Sequence, residues 1–457
     1  MTNSGDITTS AGAKKVDIAG ILAYVNASNI DLSGNSNTGD ININAPVDDV
    51  GSTGNVTTGI RYLYAGGLIG NSNNVILADL DCTGKTFSGT INIATVENAT
   101  QTTVAVGGVV GGHTRTNASL WTIQNVDYTG RITMSNLDNC TYCHLGGVVG
   151  RVCSPTHIKK ATNSGAVECK DTDAIAYKDV CFGGILGSNL DGVATTITES
   201  TNSGTIQFQN NSNKYGRTTA VGGIAGALTG AASTIQLCTN TGYICSHNRS
   251  NANEPAIRTA GSNFGGGIVG FIQGTSDAKA TIDQCTVNKT DSSVNGAITM
   301  AAIYNGYGLY ASRGILGGMV GYASHTNISN CNCSATLYKT QQGYMAALVG
   351  WLDNSTIEEC TVTASKVKAE NANIIGRGSL VGNVVASVVK NNEVSLVLEG
   401  SAASSGGDGV LAGISDDAST FTNNAVSGTF FGAAITLDSK MIGTGTPTVT
   451  GTTLYTE

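Results

Sequence analysis

Two hydrophobic patterns alternate along the chain. The first is a pentapeptide of small and apolar residues: GGLIG at 66–70, GGVVG at 107–111 and 146–150, GGILG at 183–187, GGIAG at 222–226, GGIVG at 266–270 and GGMVG at 317–321. The second alternates β-branched and polar residues around a turn, as in TIQNVDYTGRI at 122–132, HIKKATNSGAV at 157–167, TITESTNSGTI at 196–206 and TIQLCTNTGYI at 234–244. Period-two alternation punctuated by Thr, Asn, Ser and Gly predicts short strands joined by turns rather than helices.

Looser copies of the pentapeptide extend the array: AGILA at 19–23, AALVG at 346–350, GSLVG at 378–382 and GVLAG at 409–413. The final glycines lie between 29 residues apart (Gly321 to Gly350) and 51 apart (Gly270 to Gly321), so register is kept while unit length is not. Each unit holds about three short strands. A propeller uses four strands per blade and closes at about four to eight blades, and leucine-rich repeats need a leucine ladder every 20 to 29 residues; neither fits. The pattern predicts an all-β fold, a single-stranded parallel β-helix of about 11 coils in which each strand pairs with its equivalent one coil on. One domain is expected over 1–457, with 1–18 the end of a truncated repeat, 19–426 the repeat coils and 427–457 a C-terminal coil and cap. TNSGDI at 2–7 matches TNSGTI at 201–206, so the chain is read as opening inside a unit, with any leader or anchor upstream of Met1.

Composition removes other classes. Glycine supplies 61 of 457 residues and proline 4, while 40% are apolar, 12% are charged and the net charge is −8, which is not the profile of a disordered chain. No apolar run reaches the roughly 18 residues that a membrane-spanning helix needs. Basic residues never cluster beyond the pairs Lys14/Lys15 and Lys159/Lys160, which leaves no electrostatic footprint for nucleic acid.

Inward positions of a solenoid stack on copies of themselves and must be small, apolar or self-complementary. One such column reads Val126, Ala161, Ser200, Cys238, Cys285, Cys331, Cys360, Asn392 and Asn424. Its four cysteines predict a ladder of buried thiols, since free cysteine packs as a small hydrophobe. The paired glycines predict either a sharp backbone conformation or coil contact too close for a Cβ. Cys140, Cys143 and His144 form a C-x-x-C-H string that alone would suit haem attachment or half a zinc site. A disulfide among Cys140, Cys143, Cys153, Cys169 and Cys181 is another reading, and reduced buried thiols a third. No cofactor and no metal-ligand set is assigned. The acid pairs Asp48/Asp49, Asp79/Asp81, Asp171/Asp173 and Asp416/Asp417 read as solvated loop acids; converging on one face, they would instead suit a glycosidase or polysaccharide lyase.

The longest unit contains MAAIYNGYGLYASRG, with Tyr304, Tyr307, Tyr310 and Arg313. Long loops on a solenoid carry its binding function, and tyrosine joins an apolar body to a polar tip, so these four residues are the candidate ligand-binding set. A second insertion, from Cys245 to Phe264, leads into the preceding coil and is expected to lie beside the first.

From about residue 19 to about residue 430, the alternation of GGIVG-like pentapeptides with I-x-x-C-T-N-x-G-x-I segments resembles the GLUG-motif repeat proteins and related Gly-rich repeat proteins of the bacterial cell surface, of the Bacteroidetes and Firmicutes type. AALVG and GSLVG depart from the pattern. The resemblance implies a right-handed β-helix, extracellular or on the outer cell surface, with adhesion or host interaction as its role. It carries over no catalytic residue. The expected function is that of a non-catalytic adhesin whose partner is a glycan or a host cell-surface protein. A β-helix carbohydrate-active enzyme is the second reading, and a stalk displaying another module the third.

Overall fold

In the computed structural model, residues 1–9, 15–26, 30–45, 60–73, 78–114, 119–135, 137–171, 179–189, 192–210, 218–230, 232–245, 262–289, 298–300, 314–339, 343–369 and 374–455 are described. Among them there is no helix, and parallel strands stack coil upon coil into a β-solenoid. One sheet of 12 strands collects the segments that follow the glycine pairs, from Leu22–Val25 to Ile442–Thr444. A second, of 11 strands, runs from Leu80–Asp81 to Thr448–Thr450. The third wall is subdivided within each coil, as in Thr162–Asn163, Val167–Asp171 and Asp179–Gly183. Register is one-to-one: Ile158 pairs with Ile197, Asn163 with Asn202, and Gly146 with Gly183.

That register makes the core a set of stacks. Ile158, Ile197, Ile235, Ile282, Ile328 and Ile357 lie one above another and are fully buried, while the residues on either side of each face outward. Such alternation is what a one-sided buried strand imposes.

Each coil turns three kinds of corner. At the glycine corner the conformation is ordinary and the constraint is space. A Cβ on Gly146 would collide with the carbonyl oxygen of Val149, one on Gly147 with the Gly184 carbonyl of the next coil, and one on Gly150 with the Gly111 carbonyl of the previous coil. Close coil contact, not left-handed backbone, is therefore what the pentapeptide provides for.

The other two corners do use left-handed backbone. Asn125, Lys160, Glu199, Leu237, Gln284, Asn330, Glu359, Asn391 and Asn423 have φ between 50° and 57°, and each immediately precedes a member of the Cys/Ser/Asn column. The bend turns the next N–H toward the neighbouring coil, where the column side chain accepts it. Ala161 N–H donates to Ser200 Oγ at 3.1 Å, Cys285 N–H to Cys331 Sγ at 3.5 Å, and Cys360 N–H to Asn392 Oδ1 at 2.9 Å. The hydroxyl or thiol in turn donates to the carbonyl two residues earlier, as Ser200 does to Thr198 (2.9 Å) and Cys331 to Ser329 (3.0 Å). Cys238, Cys285, Cys331 and Cys360 are thus buried free thiols with hydrogen-bonding work. At the remaining corner His325, Asn354 and Ala386 have φ of 46° to 47°, and a hydroxyl column does the same: Thr326 N–H donates to Ser355 Oγ (2.9 Å) and Ser355 N–H to Ser387 Oγ (3.0 Å).

Stacking continues where the pentapeptide loosens. Val320, Val349, Val381, Ala412 and Ile442 remain in register. A Cβ on Gly147, Gly184 or Gly223 would strike the side chain of Asn163, Asn202 or Asn240, and in later coils that column falls to Val287, Cys333, Val362 and Val394. Ala347 and Ser379 occupy the glycine position only in those later coils.

Candidate functional site

The glycine corner indents the coil, and the indentation repeats into a crease along the outside of the solenoid. One wall is the residue two places before each glycine pair: Tyr64, Ala105, His144, Cys181, Ala220 and Phe264 in successive coils, then Ile315 and Tyr344. The other is the residue after each closing glycine: Asn71, Gly112, Arg151, Ser188, Ala227 and Phe271, then Tyr322 and Trp351. The walls touch, since a Cβ on Gly112 would strike the Tyr64 ring and Ser188 Oγ lies 2.9 Å from His144 Nδ1. Midway the crease is closed by Cys181, Ala220 and Ala227, all buried.

Toward the C-terminal end it fills with rings. Phe264, Ile315 and Tyr344 form an apolar cluster separate from the core, flanked by partly exposed Phe271, Tyr322 and Trp351. Phe271 and Tyr322 stack at 5.0 Å and 6°, and Trp351 meets Tyr344 edge-on at 5.1 Å. Burial and the Asp353 carboxylate raise the Tyr322 hydroxyl above its usual range.

Toward the N-terminal end, Ala105 and Gly112 are too small to fill the crease, and a cavity of about 360 Å³ opens between their neighbours. Lys15, Tyr62, Tyr64, Asn71, Thr114, Arg151 and Cys153 line it. Thr114 Oγ1 donates to Asn71 Oδ1 at 3.1 Å, and Lys15 Nζ lies 3.1 Å from Asp17 Oδ2. Burial pushes the Tyr64 hydroxyl far up, the Arg151 charge opposing it; burial, then Arg151, holds His144 well below the usual histidine range.

Tyr304, Tyr307, Tyr310 and Arg313 lie outside the described residues. The chain returns from that insertion into Gly314–Gly317, and from the earlier one into Ser262–Gly266. These two strands are neighbours, with Phe264 opposite Ile315, so both insertions re-enter at the aromatic end of the crease.

Of the C-x-x-C-H string, the Cys140 side chain lies outside the described residues, and Cys143 and His144 do not converge. Cys143 faces the core while His144, the next residue, faces the crease, as alternation along a strand requires. Among the described residues no two cysteines are joined by a disulfide, and no three His, Cys, Asp or Glu side chains gather as a metal site. The described acids of the pairs serve the backbone and the outer ladders. Asp81 accepts from Asn125 and Gln124, Asp79 from Thr122 N–H, and Asp416 from Ala386 N–H and Ser419 N–H. Sequence reasoning missed the crease because its two walls sit just outside the conspicuous pentapeptide, where Phe264 and Phe271 read as ordinary strand residues.

No family model, no curated protein and no solved structure matches this chain.

Proposed function

We propose that the chain is a non-catalytic ligand-binding protein of the bacterial cell surface, similar in kind to the GLUG-motif repeat proteins it resembles, and that it holds a glycan along the outer crease. The observation that carries this reading is the row of partly exposed rings Phe271, Tyr322 and Trp351, placed where the two longest insertions return to the coil. Aromatic rings supply large apolar contact area, and Tyr322 adds a polar tip that suits a wet surface. Asp353, beside Tyr322 and accepting from buried Ser324 at 3.0 Å, supplies a polar group at the edge of the row. The enzyme reading has less behind it, since Asp79, Asp81 and Asp416 are occupied as backbone and ladder acceptors. A glycan-array screen run beside a reducing-sugar release assay tests the proposal. Retention without release is the expected result, and release of sugar would overturn it.

A further inference from the structure

The cavity at the N-terminal end of the crease has a chemistry of its own. Among the described residues that line it, two are cations, Lys15 and Arg151, and none is a carboxylate. Ammonium and guanidinium groups only donate; Arg carries five N–H donors and Lys three, so a protein contact on one side leaves others for a ligand. The Asn71 carbonyl oxygen accepts from Thr114 Oγ1, and its amide nitrogen adds N–H donors to the lining. The Tyr62 side chain stands at the mouth, 46% exposed, and the Tyr64 ring forms a wall. Asp17 lies beside Lys15, its Oδ2 3.1 Å from Nζ, and its carboxylate offsets the charge of that lysine.

A lining rich in donors selects a ligand rich in acceptors. At about 360 Å³ the cavity is near the lower end of small-molecule sites, which run from about 300 to 1,000 Å³, and has room for one sugar ring. We infer that the pocket binds the carboxylate-bearing ring of an acidic sugar, with the carboxylate between Arg151 and Lys15 and the ring against Tyr64. The bidentate geometry of guanidinium toward carboxylate favours this over a sugar carrying only hydroxyls. The inference rests on the crease being the ligand-binding face, and it adds the ligand's charge and the place where that charge sits.

Titration of the full chain with methyl glucuronoside and methyl glucoside tests it, since the two differ only in the carboxylate. The glucuronoside is expected to bind at least about tenfold more tightly at low salt, as charge-assisted hydrogen bonds are the strong ones, and the margin should narrow as salt rises. Arg151→Gln and Lys15→Gln should each narrow the ratio of glucuronoside to glucoside affinity, which is the quantity read. Lys15, with 46% of its side chain exposed, can be changed without disturbing the coil if the Arg151 variant fails to fold. Equal affinities, or a ratio that Lys15→Gln leaves unchanged, would overturn the inference. If array glycans are still retained through Tyr322 and Trp351, the pocket inference alone fails. If no glycan is retained at all, the reading of the whole crease fails with it.

Discussion

The backbone N–H of Cys360 donates to Asn392 Oδ1 one coil on, at 2.9 Å, and Asn392 N–H and Nδ2 both reach Asn424 Oδ1 in the coil after that. A left-handed residue precedes each of these positions, so the bend that closes the coil also strands an N–H that only the neighbouring coil can satisfy. Cysteine, serine and asparagine share the column because each carries an atom that accepts there.

Asn392→Ala should therefore cost about 1–3 kcal/mol, the penalty for a buried donor left without a partner. The urea midpoint of the variant against the parent chain checks this. An unchanged midpoint would mean that the column matters only as packing.

Leu237 sits at φ 55° with 48% of its surface exposed, a conformation that costs a β- or γ-branched side chain more than it costs asparagine. Leu237→Asn should stabilise the coil by up to about 1 kcal/mol. A lowered thermal midpoint would contradict that account of the corner.

Arg377 is fully buried, its Nε 3.0 Å from Asp408 Oδ1 and its other nitrogens on the carbonyls of Glu399 and Ser401. Arg377→Met would leave the Asp408 carboxylate buried without its cation, a loss of about 3–5 kcal/mol. Arg377→Met with Asp408→Asn should recover part of it. If the double variant is no more stable than the single, the ion pair is not what organises this region.

Acid should weaken the fold in a defined window. Burial lowers His113 from 6.5 to about 4, so between those values the unfolded chain takes up a proton that the folded chain does not. Stability is then complete above about pH 6.5 and falls toward pH 4, by up to about 3 kcal/mol for this group. His144, fully buried and also lowered, acts with the same sign. His113→Gln keeps a donor near Ser154 Oγ, now 2.9 Å from His113 Nε2, and should flatten the slope of urea midpoint against pH. A slope unchanged by the substitution would place the acid sensitivity elsewhere.

The solenoid was legible in the sequence because stacking forces the same residue types into the same register: the pentapeptides and the Cys238 to Cys360 column mark it directly. The left-handed corners were not legible, since Lys160, Glu199 and Leu237 share a backbone conformation and no chemistry. Nor was the hydroxyl column at Ser355 and Ser387, where small polar residues look like any turn. The crease depends on two rows meeting outside the coil. Spacing alone shows that Phe264 and Phe271 flank a pentapeptide, but not that the glycines between them fold the two walls together.

If the ring-lined crease holds a glycan without cleaving it, an array-selected glycan titrated into the parent chain and into Tyr322→Ala with Trp351→Ala should tell the two apart. Stacking of a sugar on aromatic rings is lost on truncation, so affinity should fall at least about tenfold, with the fold intact and no reducing sugar released. Unchanged affinity in the double variant, or sugar released by the parent chain, would contradict the account.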